Sequence, residues 1–124
     1  MVELVEEKAG PEGEIMVSRA GSGPALVLIH GITSGRWTWD SVVDRLAEEY
    51  ELFIYDQRGH GRSQKPNHGY QLTDYAGDLD IVLDHFGIAS PLIIGHSLGG
   101  MVTLQWAIGQ PDRAKALVIE DSPM

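Results

Sequence analysis

The chain has no cysteine and few basic residues. Without cysteine it can form no disulfide and offers no thiolate for catalysis or metal binding, which fits a reducing compartment. Nine lysine and arginine residues stand against 18 aspartate and glutamate residues, so the formal net charge is −9. The basic residues are scattered, whereas a nucleic-acid partner requires a basic stripe. We therefore predict no binding to nucleic acid.

Long apolar runs are also missing. No stretch approaches the roughly 20 apolar residues of a membrane span, and the acidic start, MVELVEEKAG, lacks the apolar core of a signal peptide. We expect a cytoplasmic protein with no membrane partner. No group of His, Asp and Glu has the spacing of metal ligands, so no metal or other cofactor is predicted. The 124 residues are 43% hydrophobic, which suits one domain over residues 1–124.

Apolar runs without alternation mark strands covered on both faces, and here they alternate with segments of helical periodicity. Six strands are predicted, the first two at a sheet edge, over residues 2–7, 14–18, 25–30, 52–55, 92–94 and 116–120. Three helices are predicted. Two have an amphipathic pattern, over residues 39–50 and over residues 73–86 with Thr73 as N-cap, and a third follows over residues 97–108. This order indicates an α/β fold with a mostly parallel, doubly wound sheet and helices on both faces.

Ligands bind at the carboxyl ends of strands in such sheets. The strongest signal there is Gly95-His96-Ser97-Leu98-Gly99, which follows a buried strand and opens a helix. A strand that turns directly into a helix needs small residues on both sides of the apex, and it presents the apical serine at a helix N-terminus. The pattern predicts that Ser97 is a nucleophile. The same pattern also suits a helix cap with packing glycines.

Two more strand ends carry marked residues. His30-Gly31-Ile32 follows the third strand, and its glycine lets the backbone approach the serine turn closely. Acyl transfer needs two donors aimed at the developing oxyanion, and we predict the backbone N–H groups of Ile32 and Leu98. The loop DQRGHGRS, which starts at Asp56, lacks the spacing of a phosphate-binding loop, and we interpret it as structural. A nucleotide-binding domain is disfavoured for the same reason.

The motif order HG, D-x-R-G-x-G-x-S and GHSLGG resembles the α/β-hydrolase fold, in its esterase-like branch that carries a helical cap. The resemblance implies that Ser97 is the nucleophile and that Ile32 and Leu98 form the oxyanion hole. It implies a small-molecule acyl substrate and no cofactor. Serine at this position argues against epoxide hydrolases and haloalkane dehalogenases, which place aspartate there.

The resemblance also implies a histidine base and an acid after later strands, in the order serine, acid, histidine. None of the five histidines fits the base role, since His96 should be aimed away from Ser97 and His30 should be structural. Asp121 follows the sixth strand and is a possible acid. We therefore expect six strands of a longer hydrolase, ending where a cap would begin.

Alternatives to that enzyme remain open. A catalytically inactive binding or assembly module would keep the fold and bind acyl compounds without turnover. The apolar strand at residues 116–120 would also be an exposed edge, which predicts self-association of this chain.

Overall fold

A six-stranded mixed sheet organises the protein, which is described here by a computed structural model that covers residues 2–122. The strand order is β1-β2-β4-β3-β5-β6. The strands are β1 Val5–Ala9, β2 Ile15–Ala20, β3 Ala25–Ile29, β4 Glu51–Tyr55, β5 Leu92–His96 and β6 Ala116–Glu120. Strands β3 to β6 are parallel, while β1 and β2 are antiparallel to their neighbours. The predicted domain end at residue 124 lies outside the described residues.

Helices cover both faces of the sheet, which confirms the predicted fold class. They are α1 Asp40–Leu46, which follows a short 3-10 turn, α2 Leu72–Phe86 and α3 Leu98–Gly109. Strand β3 shows why its sequence is apolar without alternation. Leu26 and Leu28 pack with α1 on one face, whereas Val27 and Ile29 belong to the core beneath α2 and α3 on the other.

The register of the parallel strands brings the strand ends that precede the candidate site residues to one edge of the sheet. Ile29 pairs with both Tyr55 of β4 and Gly95 of β5, and His96 pairs with Glu120 of β6. The next residues along each strand, among them His30, Asp56, Ser97 and Asp121, therefore lie along the same edge. This is the edge where α/β sheets bind ligands.

Some predicted boundaries are wrong. Helix α1 ends at Leu46 rather than at Tyr50, and β2 lies inside the sheet between β1 and β4. Gln71 rather than Thr73 precedes α2, and the Asp74 side chain accepts a hydrogen bond from the Gln71 N–H at 3.0 Å. The helix ends at residue 86, as predicted, and Gly87 follows it in the left-handed conformation. Among residues 2–122, no helix has the length and apolar character needed to cross a bilayer.

Candidate active site

Ser97 occupies the sharp turn between β5 and α3. Its backbone has φ 55° and ψ −117°, a region that non-glycine residues rarely adopt. The side chain is half-buried, and the residue directly precedes the free N–H groups at the start of a 12-residue helix. The prediction that a serine lies at the apex of a strand-to-helix turn is confirmed in its geometry.

The flanking glycines make this turn possible. A Cβ at Gly99 would lie 2.8 Å from the carbonyl oxygen of His30 and would collide with that of Ile29. A Cβ at Gly95 would lie 2.6 Å from Oγ1 of Thr103, which donates a hydrogen bond to the Gly99 carbonyl at 2.7 Å. Helix α3 therefore lies directly against the ends of β3 and β5, as the spacing of the glycines predicts.

The end of β6 holds the backbone of Ser97 from both sides. The Ser97 N–H donates to the carbonyl oxygen of Glu120 at 2.9 Å. The hydroxyl of Ser122 donates to the carbonyl oxygen of Ser97 at 2.7 Å. Gly100 leaves room for this contact, since a Cβ there would collide with the Ser122 hydroxyl. Sequence reasoning did not find Ser122, because no local pattern links it to residue 97.

The loop after β3 lies against the serine turn. A Cβ at Gly31 would be 3.0 Å from the Cβ of Ser97, so only glycine permits this approach without displacement. The next residue is Ile32, whose side chain is 62% exposed. Neither the Ile32 N–H nor the Leu98 N–H donates a hydrogen bond to another atom of residues 2–122. The two predicted oxyanion donors thus have no acceptor within residues 2–122.

Two histidines hold the loop that carries Ile32. His30 is completely buried, its Nδ1 lies 2.6 Å from the Gly31 carbonyl oxygen, and its Nε2 accepts the Gln57 N–H at 2.9 Å. Burial lowers the pKa of His30 below its ordinary value, because the imidazolium would lose its hydration. His60 accepts the Thr33 N–H at Nε2, at 3.0 Å. The predicted structural role of His30 is confirmed.

Asp56 and Arg58 have structural contacts, as predicted for this loop. The buried carboxylate of Asp56 accepts the N–H groups of Arg36 at 2.7 Å and Arg62 at 3.0 Å. The Arg58 guanidinium forms two hydrogen bonds to Asp78, at 2.7 and 2.8 Å, and this pairing raises the pKa of Arg58. These contacts tie the loop after β4 to the loop after β3 and to α2.

No imidazole forms a hydrogen bond to the Ser97 hydroxyl among residues 2–122. Nδ1 of His96 lies 2.9 Å from a carboxylate oxygen of Glu120, and Nε2 of His85 lies 2.7 Å from Glu7. Asp121, the possible acid, directly follows β6, has a positive φ of 51° and is exposed. Across residues 2–122 there is also no group of three His, Asp or Glu side chains that could hold a metal ion.

A mostly parallel sheet whose strand turns tightly through Gly-x-Ser-x-Gly into a helix is the architecture of the α/β hydrolases. The chain belongs to the α/β hydrolase fold family, whose model matches residues 24–124. This confirms the resemblance to the α/β-hydrolase fold.

Individual relatives agree with this assignment. The chain is 40% identical over 100 residues to an uncharacterized protein of Mycobacterium tuberculosis, which covers 81% of this chain and 29% of that protein. It is 35% identical over 105 residues to 2-(acetamidomethylene)succinate hydrolase of Mesorhizobium japonicum, covering 85% and 38%. The solved epoxide hydrolase CorEH matches with TM-score 0.88 and 31% identity, over 98% of this chain and 43% of that chain.

The chain thus spans less than half the length of these relatives. Other matches are named esterase and soluble epoxide hydrolase. Apart from the uncharacterized protein, these relatives are hydrolases of more than one substrate class.

Proposed function

We propose that this protein is a serine hydrolase of esters or related acyl bonds, with Ser97 as its nucleophile. The observation that carries the proposal is the strained backbone of Ser97 beside two backbone N–H groups that have no acceptor within residues 2–122. Strain of this kind persists where the surrounding structure imposes it, and it is concentrated at active sites.

The reaction follows from the positions of these groups. The Ser97 oxygen bonds to the carbonyl carbon of the substrate while its proton passes to a general base. The N–H groups of Ile32 and Leu98 donate to the oxyanion. The tetrahedral intermediate then breaks the bond to the leaving group, which takes up the proton, and leaves an acyl-enzyme. Water attacks the acyl carbon and releases the acid and free Ser97.

The base and the acid complete this scheme. Because no imidazole bonds to Ser97 within residues 2–122 and the matched hydrolase is much longer, we propose that the histidine lies outside the described residues. The position of Asp121 at the end of β6, on the site edge, supports it as a candidate acid. The absence of cysteine supports a cytoplasmic location as part of the same proposal.

A serine at position 97 favours acyl bonds over epoxides, although epoxide hydrolases are among the relatives. A carboxylate that opens an epoxide forms an ester, which water can cleave. A serine alkoxide that opens an epoxide would form an ether, which water does not cleave, so the enzyme would stop after one turnover. Chemistry therefore separates this chain from those relatives.

The proposal is tested by p-nitrophenyl butyrate hydrolysis with the protein that is encoded by the complete open reading frame containing residues 1–124. Ser97→Ala should lower kcat by up to about 10⁶-fold, the usual cost of losing a triad nucleophile. Ser90→Ala is the matched control, since Ser90 is exposed in the turn before β5, and it should keep full activity. Retention of more than about a tenth of the activity by Ser97→Ala would contradict the nucleophile assignment.

The Ser97 hydroxyl has no hydrogen-bond partner among residues 2–122, which favours one alternative, a module that binds acyl compounds without turning them over. Such a module would bind a slowly hydrolysed ester or amide stoichiometrically. It would release no product with either wild-type or Ser97→Ala protein.

A further inference from the structure

We propose that His60 is a positioning residue that holds the Ile32 N–H in place for the oxyanion. The inference rests on the proposed function, and it assigns a role to a histidine that lies 28 positions beyond Ile32 in another loop. His60 does not touch the substrate in this account. It acts through the backbone of Thr33.

The contacts of His60 fix its tautomer. Nδ1 lies 2.9 Å from the carbonyl oxygen of Arg58, and Nε2 lies 3.0 Å from the backbone nitrogen of Thr33. A carbonyl oxygen only accepts hydrogen bonds, so Nδ1 carries the proton and donates it to Arg58. The Nε2 lone pair therefore accepts the Thr33 N–H. Both ring nitrogens are used, which a solvated loop histidine does not require.

The backbone that receives this bond is strained. Thr33 has a positive φ of 57°, which is unfavourable for a residue branched at Cβ. The turn it belongs to is closed by a long hydrogen bond of 3.3 Å from the Ser34 N–H to the Gly31 carbonyl oxygen. His60 supplies a shorter bond at the strained position, next to the peptide of Ile32.

The other side of Ile32 is held by His30. Its contact with the Gly31 carbonyl oxygen, at 2.6 Å, and the bond from the Gln57 side chain to the His30 carbonyl, at 2.8 Å, fix the backbone before Ile32. The His30 and His60 rings meet edge to face with centroids 5.0 Å apart. The two imidazoles thus fix the backbone before and after Ile32, whose N–H has no acceptor within the described residues 2–122.

This role is tested by the steady-state kinetics of p-nitrophenyl butyrate hydrolysis by the protein that the complete open reading frame encodes. His60→Leu removes the acceptor and should lower kcat by about tenfold with KM nearly unchanged, less than the 10²–10³-fold cost of deleting an oxyanion donor. His60→Gln keeps an acceptor oxygen and should recover most of the loss. His68→Leu is the control, because His68 is exposed in the same loop, and it should leave kcat unchanged.

An unchanged kcat in His60→Leu, or equal losses in His60→Leu and His60→Gln, would overturn the proposal. Should His60→Leu fail to fold, ¹⁵N NMR of the wild-type imidazole decides. A proton on Nδ1 and a Thr33 amide coupled to Nε2 are expected, and a proton on Nε2 would overturn the proposal. The NMR result is independent of Ser97, so failure of the hydrolase proposal and failure of the His60 proposal are distinguishable.

Discussion

At the scale of single residues, backbone strain is concentrated at one edge of the sheet. The non-glycine residues with positive φ within residues 2–122 are Thr33, Ser97 and Asp121. Each lies at or just beyond the carboxyl end of a parallel strand, and sequence analysis had named two of them as possible catalytic residues. Strain away from a functional site would be selected against, because each such residue costs about 1–3 kcal/mol.

The closest packing at this edge predicts a large effect of one added side chain. Gly99→Val should lower the free energy of unfolding by at least about 3 kcal/mol, because its Cβ would meet the backbone of β3, which cannot move away cheaply. Gly77→Ala is the matched control. A Cβ at Gly77, on the exposed face of α2, meets nothing within 4 Å, and the change should raise stability by about 0.5–1 kcal/mol.

Urea unfolding of the 124-residue chain and its two variants, followed by circular dichroism, measures both effects. A Gly99→Val variant as stable as the wild type would show that α3 does not lie against the end of β3.

Burial of His30 predicts a dependence of stability on pH. Burial lowers the pKa of His30 in the folded state below its unfolded-state value of about 6.5. At pH values between the two pKa values, the unfolded chain therefore binds more protons than the folded chain. The free energy of unfolding should therefore be greatest above about pH 6.5 and fall as the pH decreases below it. His30→Asn should flatten this slope in urea titrations, whereas His68→Asn, at an exposed position, should keep it. An equal slope in His30→Asn would contradict the assignment.

The sequence predicted residues whose role depends on local spacing and missed those whose role depends on distant pairing. Gly95, Ser97 and Gly99 were found because a strand-to-helix turn restricts residues two positions apart. Ser122 and His60 were missed as positioning residues, because each acts on a backbone group far away in the chain. The two glycines beside His60, Gly59 and Gly61, are visible in the sequence, but they indicate only a turn.

At the scale of elements, apolar periodicity predicted which residues pack against the core, but it did not predict where each helix ends. The strands β3 to β6 were predicted because continuous apolar runs fit a sheet covered on both faces. Ala47 and Tyr50 pack against the core as the periodicity of α1 predicts, yet the helix ends at Leu46. The turn between β2 and β3 lies close there, since a Cβ at Gly21 would be 2.7 Å from the Ala47 carbonyl oxygen.

Strand β6 forms one edge of the sheet, and we propose that it pairs with β6 of a second copy of this chain. Ala116, Val118 and Glu120 are exposed on one face of this strand, with Val118 53% exposed, and free N–H and C=O groups of an edge strand are a template for pairing. Antiparallel pairing centred on Val118 would place Lys115 opposite Asp121 of the other copy. The charges at the ends of the strand would then be complementary.

Sedimentation velocity of the 124-residue chain should show dimers or larger species. Val118→Lys should shift the distribution toward the monomer. Val5→Lys, at an exposed position on the opposite edge strand β1, should not. A monomeric wild-type chain would contradict the proposed pairing.

At the scale of the whole molecule, the candidate site combines residues from 30 to 122. Parallel connections return each strand to the same edge, so the loops after β3, β4, β5 and β6 meet there. Sequence reasoning could predict this edge because parallel topology follows from alternating strands and helices. It identified no proton acceptor for Ser97, and no imidazole bonds to the Ser97 hydroxyl within residues 2–122. We propose a source outside them, because the matched hydrolase is much longer than this chain.

The central claim is that Ser97 is a nucleophile rather than a helix cap. The most direct test is reaction of the protein encoded by the complete open reading frame with a fluorophosphonate probe, followed by peptide mass spectrometry. We expect one phosphonate per chain, attached to Ser97, with labelling abolished in Ser97→Ala and preserved in Ser90→Ala. Ester turnover together with an adduct on another residue, or labelling that survives Ser97→Ala, would contradict the account.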